Sequence, residues 1–92
     1  METTRFTIKG RVQGVGFRYY VQAEAQQLGL RGWVRNTNDG AVEVLAAGSA
    51  EQLSALHAKL RSGPRAARVD AVDVAPGGEA PNYSSFRIEG TW

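Results

Sequence analysis

The hydrophobic residues switch between two periods along the chain, and the order of those switches restricts the fold more than any other feature. Phe6 and Ile8 alternate with Thr7 and Lys9, the two-residue period of a half-buried strand, predicted over Arg5–Lys9. Phe17, Tyr20, Val21, Ala25 and Leu28 then fall at helical spacing, with Gly29 placed to end the helix. Trp33 and Val34 open a second strand, and Val42 and Val44 continue a third. Between them Asn38-Asp39-Gly40 marks a hairpin turn, because Asp-Gly tolerates the positive φ angles that such turns require. Ser49 and Gln52 have the spacing of a capping box ahead of the stripe Leu53, Leu56 and Leu60, which Ser62-Gly63-Pro64 ends. Val69–Val74 reads as a fourth strand whose alternation slips near Ala71-Val72, the mark of a bulge. Beyond the loop Pro76-Gly77-Gly78, Phe86 and Ile88 suggest a short last strand. The order β-α-β-β-α-β, with this extra C-terminal strand, predicts an α+β ferredoxin-like sandwich. It would have an antiparallel sheet with two helices on one face.

Ninety-two residues supply material for one core, so a single domain over residues 1–92 is expected, with a monomer the natural state at this size. No apolar run approaches the ~20 residues of a membrane span, and the N-terminus lacks a charged-then-apolar leader, so a cytoplasmic address is expected. Cysteine is absent, which removes disulfides, thiolate catalysis and zinc–thiolate sites together. The single histidine, His57, shares a helical stripe with Leu53 and Leu60 and reads as a packing residue. No metal and no cofactor are expected. Nine of the eleven basic residues are Arg, the side chain suited to planar recognition of phosphate or carboxylate. No basic block exceeds two residues, which argues against a nucleic-acid partner.

The stretch Gly10-Arg11-Val12-Gln13-Gly14-Val15-Gly16 is too irregular for strand or helix and leads straight into the first helix. Glycines there let successive backbone N–H groups face one concavity, and the helix N-terminus adds the positive end of its dipole. A nucleotide-type loop would need Gly-Lys-Ser or Gly-Lys-Thr where this chain has Gly16-Phe17-Arg18, and a dinucleotide fingerprint starting at Gly14 would need glycine or alanine in place of Tyr19. Arg18 in the first helical turn opposes the dipole by about 0.3–1 kcal/mol, and a bound anion would reverse that sign. A solvated surface arginine and a plain tight turn are the alternatives that position alone leaves open.

The segment GRVQGVGFR, Gly10 to Arg18, resembles the first signature of the acylphosphatase family, and GWVRNTNDGAVEVLAAG, Gly32 to Gly48, resembles its second. Both stand in the family's order and spacing, and the resemblance extends over nearly the whole chain. Similar domains occur within larger hydrogenase-maturation carbamoyltransferases. The resemblance implies that Arg18 holds the substrate phosphate and that loop N–H groups of Gln13, Gly14, Val15, Gly16, Phe17 and Arg18 surround its oxygens. It also implies that Asn36 orients the attacking water, the two catalytic residues then being Arg18 and Asn36. The substrate would be a small-molecule acyl phosphate, with inorganic phosphate or sulfate as product-like ligands.

The chemistry fits a sparse site. An acyl phosphate expels a carboxylate whose conjugate acid has a pKa of roughly 4, so the leaving group departs without a proton. A phosphate monoester expels an alkoxide and needs an acid or a metal. The two signatures hold no histidine or cysteine, and their only carboxylates, Asp39 and Glu43, belong to the hairpin. Without the resemblance, Asn36 would read as a turn residue in the polar run Asn36-Thr37-Asn38-Asp39. Tyr19 and Tyr20 read as core or groove-lining side chains, while Trp33 could wall a site or simply pack. Asp70 and Asp73 alternate along a strand and form no paired-carboxylate site. Two rival functions remain: a catalytically silent module that binds phosphate or carboxylate, and an RNA-binding sheet. The latter is disfavoured by the lack of stacked aromatics on the first strand.

Overall fold

The pairing of the strands decides where the functional loops meet. In the computed structural model, which describes residues 1–90, the elements are β1 (Glu2–Arg11), α1 (Phe17–Gln27), β2 (Arg31–Asn36), β3 (Val42–Gly48), α2 (Ala50–Ser62), β4 (Arg68–Pro76) and β5 (Phe86–Ile88). They form one five-stranded sheet in the order β4-β1-β3-β2-β5. Phe6, Ile8, Val34, Val42 and Val44 point from the sheet into the core. They meet Phe17, Val21 and Ala25 of α1 and Leu53, Leu56 and Leu60 of α2, as the two periodicities require. None of the described helices is long and apolar enough to cross a membrane.

The four longer strands pair antiparallel, as expected, but β5 runs parallel to β2, with Gly32 opposite Phe86 and Val34 opposite Ile88. The sheet is therefore mixed. The correction has a topological cause: the chain leaves β4 at one edge of the sheet and must reach the other edge before pairing again. Gly77 marks the crossing, where its N–H donates to Thr3 O at 2.8 Å and a Cβ would come within 2.8 Å of the Leu45 side chain. Phe86, 1% exposed, then fills the core beneath α1, and Gln22 and Gln26 donate to its carbonyl at 3.3 and 3.4 Å.

β1 reaches past its expected end to Arg11, and the irregularity assigned to Ala71-Val72 falls one residue earlier. Lys9 opposes Ala71 while Gly10 opposes Val69, which leaves Asp70 as the extra residue. The strands can approach there because position 10 lacks a Cβ, which would lie 2.1 Å from Arg68 O. The hairpin turn falls at Asn38-Asp39-Gly40, as expected, with its positive φ at the glycine alone. Only glycines among the described residues have positive φ, so Asp39 does not share the left-handed turn with Gly40 (φ 91°). Gly40 N–H donates to Thr37 O at 3.3 Å and Thr37 N–H to Ala41 O at 2.9 Å, closing a three-residue loop of the type that ends in a left-handed glycine.

Candidate active site

Two buried apolar side chains fix the ends of the glycine loop. Val12 and Phe17 are each 1% exposed in the core, and the chain between them must bridge from the end of β1 to the start of α1. Gly14 (φ 73°) and Gly16 (φ 78°) take left-handed conformations on either side of Val15, which packs against the core. A Cβ at either glycine would meet nothing within 4 Å, so conformation and not space demands glycine there.

Gly16 is the N-cap of α1 and offers no side chain to the free N–H groups of the first turn, and no acidic residue stands in that turn. Arg18 lies there half-buried, and it forms no salt bridge with any described residue. A free helix end and an unpaired cation next to it both favour an anion.

Asn36 comes to this place from the end of β2. It forms the last pair of the β2–β3 ladder, opposite Val42, which fixes its backbone. Its Oδ1 is buried and has no hydrogen-bond partner among the described residues. A buried acceptor left unpaired costs about 1–3 kcal/mol, so this orientation calls for a donor that is not part of the fold. Asn36, Arg18, Gly14, Gly16, Phe17, Val12 and Tyr19 line one pocket of about 80 Å³. That is far below the ~300–1,000 Å³ of clefts that enclose drug-sized ligands, and it suits one small group. A wider cleft of about 290 Å³ over Arg35, Thr37 and Asn38 shares Asn36 with it. The larger hollow beside the β4 edge, about 550 Å³, lies among Glu2, Thr3, Thr4, Val74–Pro76 and Gly78 and offers no cation.

Of the residues grouped by sequence, Gly14, Gly16, Phe17, Arg18 and Asn36 converge on the pocket. Gln13 and Val15 do not line it. The Gln13 amide turns to the hairpin, where Nε2 donates to Thr37 O and to Ala41 O, both at 2.8 Å. Val12 lines the pocket although it carries no polar signal in the sequence, and Tyr19, 71% exposed, takes the groove-lining one of the two places expected for it. Tyr20 instead packs edge-on against Phe17 and donates its hydroxyl to Lys59 O at 3.0 Å. Burial, with the Glu24 charge adding to it, raises the pKa of that hydroxyl, which keeps it protonated.

The carboxylates of the hairpin are engaged elsewhere. Asp39 accepts from the Thr37 hydroxyl, which with the Ala41 backbone holds its pKa below the ordinary value. Glu43 lies on the sheet face away from the helices, between Arg5 and Arg35, with Arg35 Nη2 at 2.7 Å. Burial pushes Glu43 up, and the hydrogen bonds and charges of the two arginines outweigh it, leaving the pKa lowered. Trp33 sits under the Arg35 guanidinium at 4.8 Å and does not line the pocket, so it packs and does not wall the site. His57 stacks 5.6 Å from Phe6, half-buried, in the packing role its stripe predicted. Among the described residues no three side chains of metal-ligating type gather around one point.

An α1 start without a side-chain cap, an arginine without a salt bridge among the described residues and a buried amide oxygen without a partner among them thus meet at one small pocket of the α+β sandwich. The acylphosphatase family model matches residues 4–88. An acylphosphatase of Koribacter versatilis is 57% identical over 99% of this chain and 83% of its own length. The crystal structure of acylphosphatase from Bacillus subtilis superposes with a TM-score of 0.93 at 38% identity, covering 98% of this chain and 100% of that one. Full-length HypF, in a phosphate- and nucleotide-bound form, contains a similar segment: TM-score 0.89, 28% identity, 98% of this chain but 12% of that one. The chain belongs to the acylphosphatase family, and it is an enzyme of that family.

Proposed function

We propose that the chain hydrolyses the carboxyl-phosphate anhydride of small acyl phosphates by in-line attack of water, without a metal. The observation that carries this reading is that the buried, unpartnered Oδ1 of Asn36 belongs to the same small pocket as Arg18 and the free N-terminus of α1. The phosphoryl group sits in the loop, where backbone N–H groups between Gln13 and Arg18 and the guanidinium take its oxygens. Water donates one hydrogen to Asn36 Oδ1 and presents a lone pair to phosphorus, reaching that side through the cleft over Arg35–Asn38. As the new P–O bond forms, the bond to the acyl oxygen breaks and its electron pair leaves with the carboxylate. The water's other proton passes to a phosphoryl oxygen. Positioning and charge stabilisation do the work, because a carboxylate departs unaided.

The test is Asn36→Ala, assayed on benzoyl phosphate in chelator. Turnover should fall on the order of 10²-fold, the scale of small geometric errors at an attacking group, while inorganic phosphate competes as before. A folded variant with full kcat would return Asn36 to the role of a turn residue. A native protein that binds phosphate but turns over no acyl phosphate would be the silent module.

A further inference from the structure

We infer that Gln13 is a positioning residue whose side chain sets the nucleophile's side of the pocket against the phosphate's side. The inference rests on the reading of Asn36 as the residue that orients water.

The two halves of the pocket share the core through Val12, Phe17, Val34 and Val42, but no strand ladder runs between them at the pocket itself. The β1–β3 ladder begins at Glu2–Gly48 and ends at Ile8–Val42. Past Ile8, β1 continues with β4 alone as far as Arg11, so no ladder pair ties the glycine loop to the hairpin. The ladder that carries Asn36 likewise ends at Asn36–Val42. Beyond both ends, the side-chain hydrogen bonds that join loop to hairpin among the described residues are the two from Gln13 Nε2, to Thr37 O and Ala41 O at 2.8 Å each. One amide nitrogen thus uses both of its hydrogens on the two carbonyls that flank the three-residue turn. Thr37 is the residue directly after Asn36, so the first of these bonds acts one peptide unit from the amide that faces water.

The chemistry of that contact is selective. Two carbonyl oxygens converging on one point can be satisfied by an NH₂ group and repelled by a carboxylate. Thr37 holds the turn from within, accepting from Ala41 N–H at 3.1 Å through Oγ1, so the hairpin keeps its shape when Gln13 is removed. What is lost is its distance from the loop. Val12 and Phe17 still anchor the loop in the core, and phosphate binding therefore survives.

The experiment is a double-mutant cycle on kcat with Gln13→Ala, Asn36→Ala and the pair, run well below each variant's Tm and accompanied by phosphate competition. Gln13→Ala should lower kcat about 10- to 100-fold, the effect of a small misplacement at an attacking group, with the inhibition constant for phosphate unchanged. In the Asn36→Ala background the same substitution should lower kcat less than twofold, because the group it positions is gone. Gln13→Glu should fall at least as far as Gln13→Ala at neutral pH and recover relative to the native enzyme as pH drops through the range where the introduced carboxyl regains a proton and can donate. If the losses from Gln13 and Asn36 multiply in full, or Gln13→Ala weakens phosphate binding as much as turnover, Gln13 does not act through Asn36 and the inference fails. If Asn36→Ala alone keeps full kcat, the reading beneath it fails first, and the two failures are distinguishable within one set of four proteins.

Discussion

The two helices begin in opposite ways. α2 starts at Ser49, whose side chain accepts from Gln52 N–H while Gln52 Oε1 accepts from Ser49 N–H, at 3.1 and 2.8 Å. Glu51 adds a negative charge to that first turn, and Lys59 and Arg61 place positive charge in the last. The cap and the charges at both ends of α2 therefore favour the helix. α1 has neither at its N-terminus, with glycine as cap, no acid, and Arg18 in the first turn, yet it closes normally at its other end. There Gly29 and Leu30 donate to Gln26 O and Ala25 O in a Schellman arrangement. The departure is confined to one end of one helix, and that end faces the pocket. A sequence that can cap a helix well and does so in α2 leaves α1 without a side-chain cap at the pocket.

The largest way to test this contrast is at Arg18. Arg18→Ala should lower kcat/KM on the order of 10³-fold or more, the range seen when a guanidinium that meets phosphoryl charge is removed. Arg18→Lys should be nearly as damaging, because an ammonium keeps the charge and loses the planar fork. In phosphate-free buffer the Ala variant should be more stable by about 0.3–1 kcal/mol, since a cation at a helix N-terminus has been removed. Arg61→Ala, at the favourable end of α2, should do the reverse: a small loss in Tm and unaltered kcat/KM. A destabilised Arg18→Ala would place the arginine among structural residues.

Next in size is the ligand's own contribution. Phosphate or sulfate at tenfold above Kd should stabilise the fold by about 1.4 kcal/mol over a chloride control of matched ionic strength. Melting curves should show the gain preserved in Ser49→Ala and absent in Arg18→Ala. A shift equal in all three proteins would reflect a general salt effect and not a completed α1.

Ser49→Ala gives the smallest change, a loss of about 1 kcal/mol by denaturant titration with the m-value and kcat intact, because that cap serves only its helix. If turnover fell with stability, the separation of the two helix ends into one structural and one functional would not hold.

How far the sequence could be read follows from the reach of each interaction. The capping box at Ser49, the helix end at Gly29, the stripe Leu53-Leu56-Leu60 and the hairpin near Gly40 involve neighbours a few residues apart, and their patterns show directly. Arg18 and the glycines of the loop were legible because their conformational cost is local. The association of Asn36 with them was not legible from the residues alone; it came from the family resemblance, since only the sheet brings position 36 to position 18. The bulge in β4 showed as a slip of alternation and fell within a residue of its place, whereas the parallel pairing of β5 and the two bonds of Gln13 are set by contacts distant in sequence. An isolated glutamine in a glycine loop carries no mark of a tertiary partner. The turn Asn38-Asp39-Gly40 was legible too, but not that glycine alone is left-handed in it, because that follows from Thr37 N–H meeting the carbonyl of Ala41 across a three-residue loop.

The parallel seam between β2 and β5 bears on how the molecule is made. Gly32 N–H donates to Ser85 O at 3.3 Å and Glu89 N–H to Val34 O at 2.9 Å, so the outer edge of the strand that ends in Asn36 is covered by residues synthesised long after it. On the ribosome, β1, α1, β2, β3 and α2 can all emerge while that edge stays bare, and a bare strand edge is a place where another nascent chain can pair. Phe86, which seals the core under α1, arrives in the same late segment. Both halves of the pocket therefore exist as polymer well before they are held as a site, and synthesis halted between Gly78 and Ser85 would release a chain with every proposed catalytic residue and an unprotected sheet.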